Sequence, residues 1–181
     1  MITKACKQAI QTYPVWTTQN NTANAKPMFP SASVKNTAGQ DRWVSFANGN
    51  LLSALNIQLN ATNAGFHFGS GTTAPTENDY KMESDFTSGI SVVLNSSARS
   101  YTPKPHMTFT FTITNTGSSS VTVSEVGIVT ANIQCCTSSS ATSASSNNIL
   151  IDRTLLDTPL TIAPSSTAAL EYTVNCEMSF S

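Results

Sequence analysis

Apolar and polar residues alternate one for one through much of the C-terminal half of this chain, and a repeat of two residues fits a half-buried strand and no helix. Met107, Phe109, Phe111 and Ile113 fall on one face of the first such run, and Thr108, Thr110, Thr112 and Thr114 on the other. The last run repeats the pattern, with Tyr172, Val174, Cys176, Met178 and Phe180 on the inward side and Thr173, Asn175, Glu177 and Ser179 outside. Similar segments at Ile90–Leu94, Val121–Val129, Ile149–Leu156, Leu160–Ile162 and Ala168–Phe180 join shorter ones at Trp43–Phe46, Leu55–Leu59 and Phe66–Phe68. Short strands at this spacing predict an all-β fold, an antiparallel β-sandwich or jelly roll of about eight or nine strands. Asn115-Thr116-Gly117 reads as the turn of a hairpin or meander returning into Val121–Val129. The Ser- and Thr-rich stretch Thr137–Asn148 reads as a surface loop.

Residues 1–41 differ from the remainder and are expected to form an extended N-terminal arm, with 42–181 as the sandwich domain. Ile2, Cys6, Ala9 and Ile10 sit at helical spacing before Pro14, which suggests a short amphipathic helix. A polar, proline-punctuated stretch follows, and Trp16, Met28 and Phe29 stand in it as candidate pegs for assembly contacts.

Charge narrows the range of partners. Charged residues make up 10% of the chain, nine Lys and Arg against ten Asp and Glu, where about a quarter is usual. No basic block is present, so neither nucleic acid nor an anionic membrane is an expected partner. No run approaches the roughly 20 apolar residues that span a bilayer, and residues 1–10 lack the apolar core of a secretory leader, so a soluble protein made in the cytosol is expected.

The residues able to carry chemistry are few. Glu77, Asp79, Glu83 and Asp85 crowd one loop around Tyr80 and Met82. They are weak candidates for a calcium site because their spacing matches no standard binding loop. A solvated acidic loop is the plainer reading. His67, between Phe66 and Phe68, points away from the core by alternation, and His106 follows Pro105 at a strand margin. Neither has a serine or cysteine in a nucleophile context. No zinc spacing joins Cys6, Cys135, Cys136 and Cys176. Cys176 reads as a small core residue, with a disulfide to Cys135 or Cys136 as the alternative. No catalytic residue, metal or cofactor is therefore expected. Glu125 interrupts the apolar run between Val123 and Val126, and Arg153 interrupts Ile149–Leu156. The two are expected to form a structural ion pair that fixes strand register.

Several segments resemble, in order, small structural proteins of tailed bacteriophage virions. They are Phe68-Gly69-Ser70-Gly71-Thr72-Thr73-Ala74-Pro75-Thr76 followed by Asp79-Tyr80 and Met82-Glu83, then Phe111-Thr112-Ile113-Thr114-Asn115-Thr116-Gly117, Val123-Ser124-Glu125-Val126-Gly127-Ile128 and Leu150-Ile151-Asp152-Arg153-Thr154. The likeness runs from residue 64 to 181 and leaves out the 1–41 arm and the Cys135-Cys136 segment. It implies a non-enzymatic virion component, a head decoration, head fibre or tail accessory protein, with Glu125 and Arg153 as shared structural positions. The expected partners are major capsid or tail subunits and further copies of the chain, with assembly in the host cytoplasm. The alternative is a carbohydrate- or receptor-binding module displayed on the virion or cell surface, with a host surface glycan as its partner and Tyr80, Tyr101 and Trp16 as candidate platform aromatics.

Overall fold

A computed structural model describes residues 3, 33–44, 65–102 and 106–175. Among these the chain is all-β, with eight strands in two antiparallel sheets and no helix. The strands are β1 (Val34–Lys35), β2 (Asp41–Val44), β3 (Gly65–Gly69), β4 (Ile90–Ser100), β5 (His106–Asn115), β6 (Val121–Cys136), β7 (Ser145–Ile162) and β8 (Thr167–Asn175). The larger sheet is built on β6, which pairs with β7, with β3 over Glu125–Val129 and with β2 at its end, β1 lying outermost. The smaller sheet has the order β4-β5-β8. The proposed helix near residues 1–10, the pegs Trp16, Met28 and Phe29, the Leu55–Leu59 strand, Cys6, Cys176 and the end of the last strand lie outside the described residues.

Alternation sets the two faces of β5. Phe109, Phe111 and Ile113 are buried, and the threonines between them are half-exposed. Phe68 on β3, Val126 and Ile128 on β6, Ile162 on β7 and Tyr172 on β8 meet them from the facing sheet and the neighbouring strand. Phe66 stands edge-on to Phe109 and Phe111, with ring centroids 4.6 and 4.8 Å apart, the geometry that ring quadrupoles favour. Tyr172 donates its hydroxyl across the sandwich to buried Asp152, so a polar bond ties the two sheets inside an apolar layer.

Three connections differ from the sequence reading. Strands β5 and β6 do not form a hairpin or meander. They belong to different sheets, and residues 116–120 arch from one to the other. Asn115 decides this route, because its fully buried side chain donates to Ser119 O at 2.8 Å and Ile162 O at 3.0 Å and accepts from Gly117 N at 2.9 Å. Its own N–H donates to Ser166 O, so it also holds the β7–β8 arch, where Ser165 takes a φ of 56°. Ile149–Leu156 and Leu160–Ile162 are parts of a single strand. The register slips between Val123 and Glu125, and Pro159 falls in the resulting irregularity, where no ladder donor is required. Finally, the polar stretch ending at Asn148 is not all loop, because β7 starts at Ser145. Asn147 is buried and accepts hydrogen bonds from Asn36 Nδ2 and Arg42 Nε.

Those bonds fasten the β1–β2 hairpin to the large sheet, so residues 34–41 lie within the sheet rather than ahead of it. Thr3 is fully buried and donates its N–H to Ile151 O and its hydroxyl to Leu150 O. β2 covers the end of β6, placing Trp43 opposite Cys136 and Val44 opposite Cys135. Cys135 is a buried free thiol. Burial pushes its pKa up to about 12, which keeps it protonated and poorly nucleophilic.

Candidate functional site

The acidic loop and the Glu125–Arg153 pair, read separately from the sequence, meet in one place. Phe68 and Val126 face the core across the β3–β6 ladder, so their neighbours in register, Gly69 opposite Glu125 and His67 opposite Gly127, face the other side of the large sheet. Arg153, opposite Gly127 on β7, shares that outer face. The chain leaves β3 at Gly69-Ser70-Gly71, runs over this face and returns beside β3. Ser70 N donates to Ser84 O, Phe86 N donates to Phe68 O, and Asp85 bridges to Gly69. Glycine is required at both ends of the turn. A Cβ on Gly71 would stand 2.6 Å from the Glu125 carboxyl carbon, and one on Gly69 would stand 2.5 Å from Glu125 Oε1 and closer still to Ser84 O.

Arg153 is the centre of the site and is almost wholly buried. Its Nε donates to Glu125 Oε2 at 2.7 Å, Nη1 to Asp79 Oδ2 at 2.8 Å, and Nη2 to Glu83 Oε2 at 3.0 Å and Thr73 O at 3.1 Å. Glu125 is fully buried and accepts in addition from the main-chain N–H of Ser84 at 2.7 Å and Glu83 at 3.3 Å. One guanidinium thus clasps three carboxylates and a carbonyl, a use suited to its planar fork of donors. Glu83 is held further by the N–H and hydroxyl of Thr73, and Asp79 by those of Thr76. Met82 provides an apolar peg against Val129 and Leu150. Gly127 makes room for it, because any Cβ there would collide with the Met82 sulfur.

These contacts set the ionisation of the loop. Burial works against the Asp79 anion, yet the hydrogen bonds from Arg153 and Thr76 outweigh it and hold the carboxyl below its ordinary 3.8. Hydrogen bonds from Thr73, assisted by the Arg153 charge, hold Glu83 below its ordinary 4.5. Burial works against the Arg153 cation, but the bonds to Asp79 and Glu125 raise its pKa nonetheless. Because both carboxyls are more acidic in the folded state, the unfolded chain binds protons first as pH falls. Their stabilisation is complete above about pH 5 and is lost as pH drops through 4.5 and 3.8 toward the lower folded values. Thermal melts are expected to be flat near neutrality and to fall below about pH 4.5, and the fall is expected to shrink in Arg153→Met. A melting temperature unchanged down to about pH 3 would contradict this assignment.

Asp79 and Glu83 therefore surround a guanidinium. Asp85 pairs instead with His67, Nδ1 to Oδ2 at 2.7 Å. Glu77 lines a cleft of about 200 Å³ together with Asp79, Lys35 and Asp41. Among the described residues no group of three or more His, Cys, Asp or Glu is placed to hold a metal ion. His67 and Asp85 border an open groove of about 560 Å³ with Lys81 on its rim and Met82 and Val129 in its wall, and no serine or cysteine is among the described residues lining it. The hydrogen-bonding roles of Thr73 and Thr76 and the fit of Met82 over Gly127 were not read from the sequence. The glycines at 69, 71 and 127 were the available signal, since each marks a close approach.

No protein-family model, curated protein or solved structure matches this chain.

Proposed function

We propose that the chain is a non-enzymatic structural protein of a bacteriophage virion, carried on the capsid in a decoration, auxiliary or head-fibre role, or on the tail. One observation carries this reading. All but one of the segments that resemble virion proteins meet at the large sheet, Phe111–Gly117 lying on β5 of the small one, and most of the clasp comes from them: Gly69 and Gly71 at the turn, Thr73 and Asp79 in the loop, Met82 and Glu83 at its return, and Glu125, Gly127 and Arg153 beneath. A cluster of this kind consumes its charges internally and fixes one conformation of an exposed loop, which serves repeated docking better than turnover.

The outer face of the small sheet supports the same reading. Asn95 donates to Thr112 at 2.9 Å, Ser96 and Thr110 share a bond of 2.5 Å, and Thr108 and Thr173 share one of 3.2 Å. These bonds leave a wettable surface with little charge, suited to contact between many copies. Quantitative mass spectrometry of purified particles of the encoding phage is the test. A fixed copy number per particle is expected, and absence from particles with abundance in the lysate would overturn the proposal. In this reading Trp16, Met28 and Phe29 anchor the arm to neighbouring capsid or tail subunits. A chain beginning at Ser33 keeps β1 but loses the bonds of Thr3 to β7, and it is expected to fold with a lower melting temperature and without joining particles.

The groove beside His67 and Asp85, together with Tyr101, which is 75% exposed, favours a second reading as a glycan- or receptor-binding module on the same particle. Binding on a glycan array would support it, and a blank array would remove it.

A further inference from the structure

The small sheet ends in β4, and the phase of the β4–β5 ladder shows which backbone groups its open side presents. Thr116 N donates to Gly89 O at 2.9 Å, and the register places Ile90 opposite Asn115, Ser91 opposite Thr114 and Val93 opposite Thr112. Bonded and non-bonded pairs alternate in an antiparallel ladder. Ser91 and Val93 therefore exchange bonds with β5, and the N–H and C=O groups of Ile90, Val92 and Leu94 point away from it. Among the described residues no strand pairs with that side.

Charge and proline, two of the usual protections of a sheet edge, are missing here, and the register shift between Leu94 and Ser96 falls just beyond Ile90, Val92 and Leu94. From Gly89 to Ala98 the chain has no charged residue and no proline, whereas exposed edges are ordinarily blunted by lysine, proline or inward-pointing charge. The side chains of Ile90, Val92 and Leu94 only partly enter the core, and Val93 beside them is 56% exposed. β8, at the opposite edge, carries Glu171 in its centre.

We infer that β4 pairs antiparallel with β4 of a second copy about a two-fold axis through Val92. That register sets Val92 against Val92 and Ile90 against Leu94 in both directions, each pair exchanging two backbone bonds. The donors and acceptors of this edge are self-complementary, and its lack of charge removes the repulsion that identical partners would otherwise suffer. Pairing covers the half-exposed Ile90, Val92 and Leu94 side chains and joins two three-stranded sheets into one of six strands. On the outer face the same register places Ser91 of one copy directly opposite Val93 of the other.

The last placement provides a test on the full chain, independent of whether the protein is found in virions. Sedimentation equilibrium at roughly 100 µM is expected to show a dimer, twice 19.2 kDa. S91E/V93E sets carboxylates directly opposite one another across the axis and is expected to weaken dimerisation about tenfold or more, with an unchanged circular dichroism spectrum. S91K/V93E sets lysine opposite glutamate in the same register and is expected to restore the dimer. Both positions face solvent, so the monomer fold is spared. A monomeric parent chain, open-ended polymers, a dimer indifferent to S91E/V93E, or failure of S91K/V93E to restore it would each overturn the inference.

Discussion

Arg153→Met is expected to destabilise the domain by about 3–5 kcal/mol, the range for removing one partner of a buried ion pair. The melting temperature is expected to fall by roughly 10 °C. The size follows from what remains behind. Glu125 is fully buried, and without the guanidinium it keeps only the Ser84 and Glu83 main-chain donors, while Asp79 and Glu83 lose their shared cation. Methionine fills a similar volume but offers nothing to three carboxylates. Denaturant titration at neutral pH measures the loss directly, and a loss under about 1 kcal/mol would show that the pair is incidental. The damage should concentrate in residues 70–85, because the loop is held down through Arg153, so hydrogen exchange at the Ser84 amide is expected to accelerate more than exchange in β5.

Asn115→Ala is the second large effect, expected at about 3 kcal/mol. The side chain satisfies Ser119 O, Ile162 O and Gly117 N at a point with no solvent exposure. Truncation leaves the buried Ile162 carbonyl without that partner, which costs about 1–3 kcal/mol when unmade, and the partly buried Gly117 amide and Ser119 carbonyl lose theirs at a smaller cost. The residue also joins both arches between the sheets, so its loss frees two chain crossings at once. A denaturation midpoint within about 0.5 kcal/mol of the parent would mean that water replaces the side chain and that the arches are set by other contacts.

The architecture was legible because period-two alternation is a direct imprint of burial on one face, as the β5 threonines and phenylalanines show. Strand connectivity was not. Asn115-Thr116-Gly117 has the same turn chemistry whether the chain doubles back in one sheet or crosses to another, and the deciding bonds, to Ile162 O and Ser166 O, come from 47 and 51 residues further along. Ile149–Leu156 and Leu160–Ile162 read as two strands, whereas a slip in register absorbs the residues between them, Pro159 included, inside one. Glu125 and Arg153 stood out because each interrupts an apolar run. That the acidic loop belonged with them was hidden, since Asp79 and Arg153 are 74 residues apart. Glycines 69, 71 and 127 carried the missing information, and their meaning depends on what approaches them in three dimensions.

The clasp joins the loop and the outer face of the large sheet into a single unit, and the strength of that union can be measured. A double-mutant cycle on Glu125→Gln and Arg153→Met, read by denaturant unfolding near pH 7, isolates the interaction between the two side chains. Each single change is expected to cost more than the pair together would suggest, with a coupling energy above about 1 kcal/mol. Costs that simply add, within about 0.5 kcal/mol, would contradict the account, because the loop would then be held by neighbours that do not depend on this ion pair.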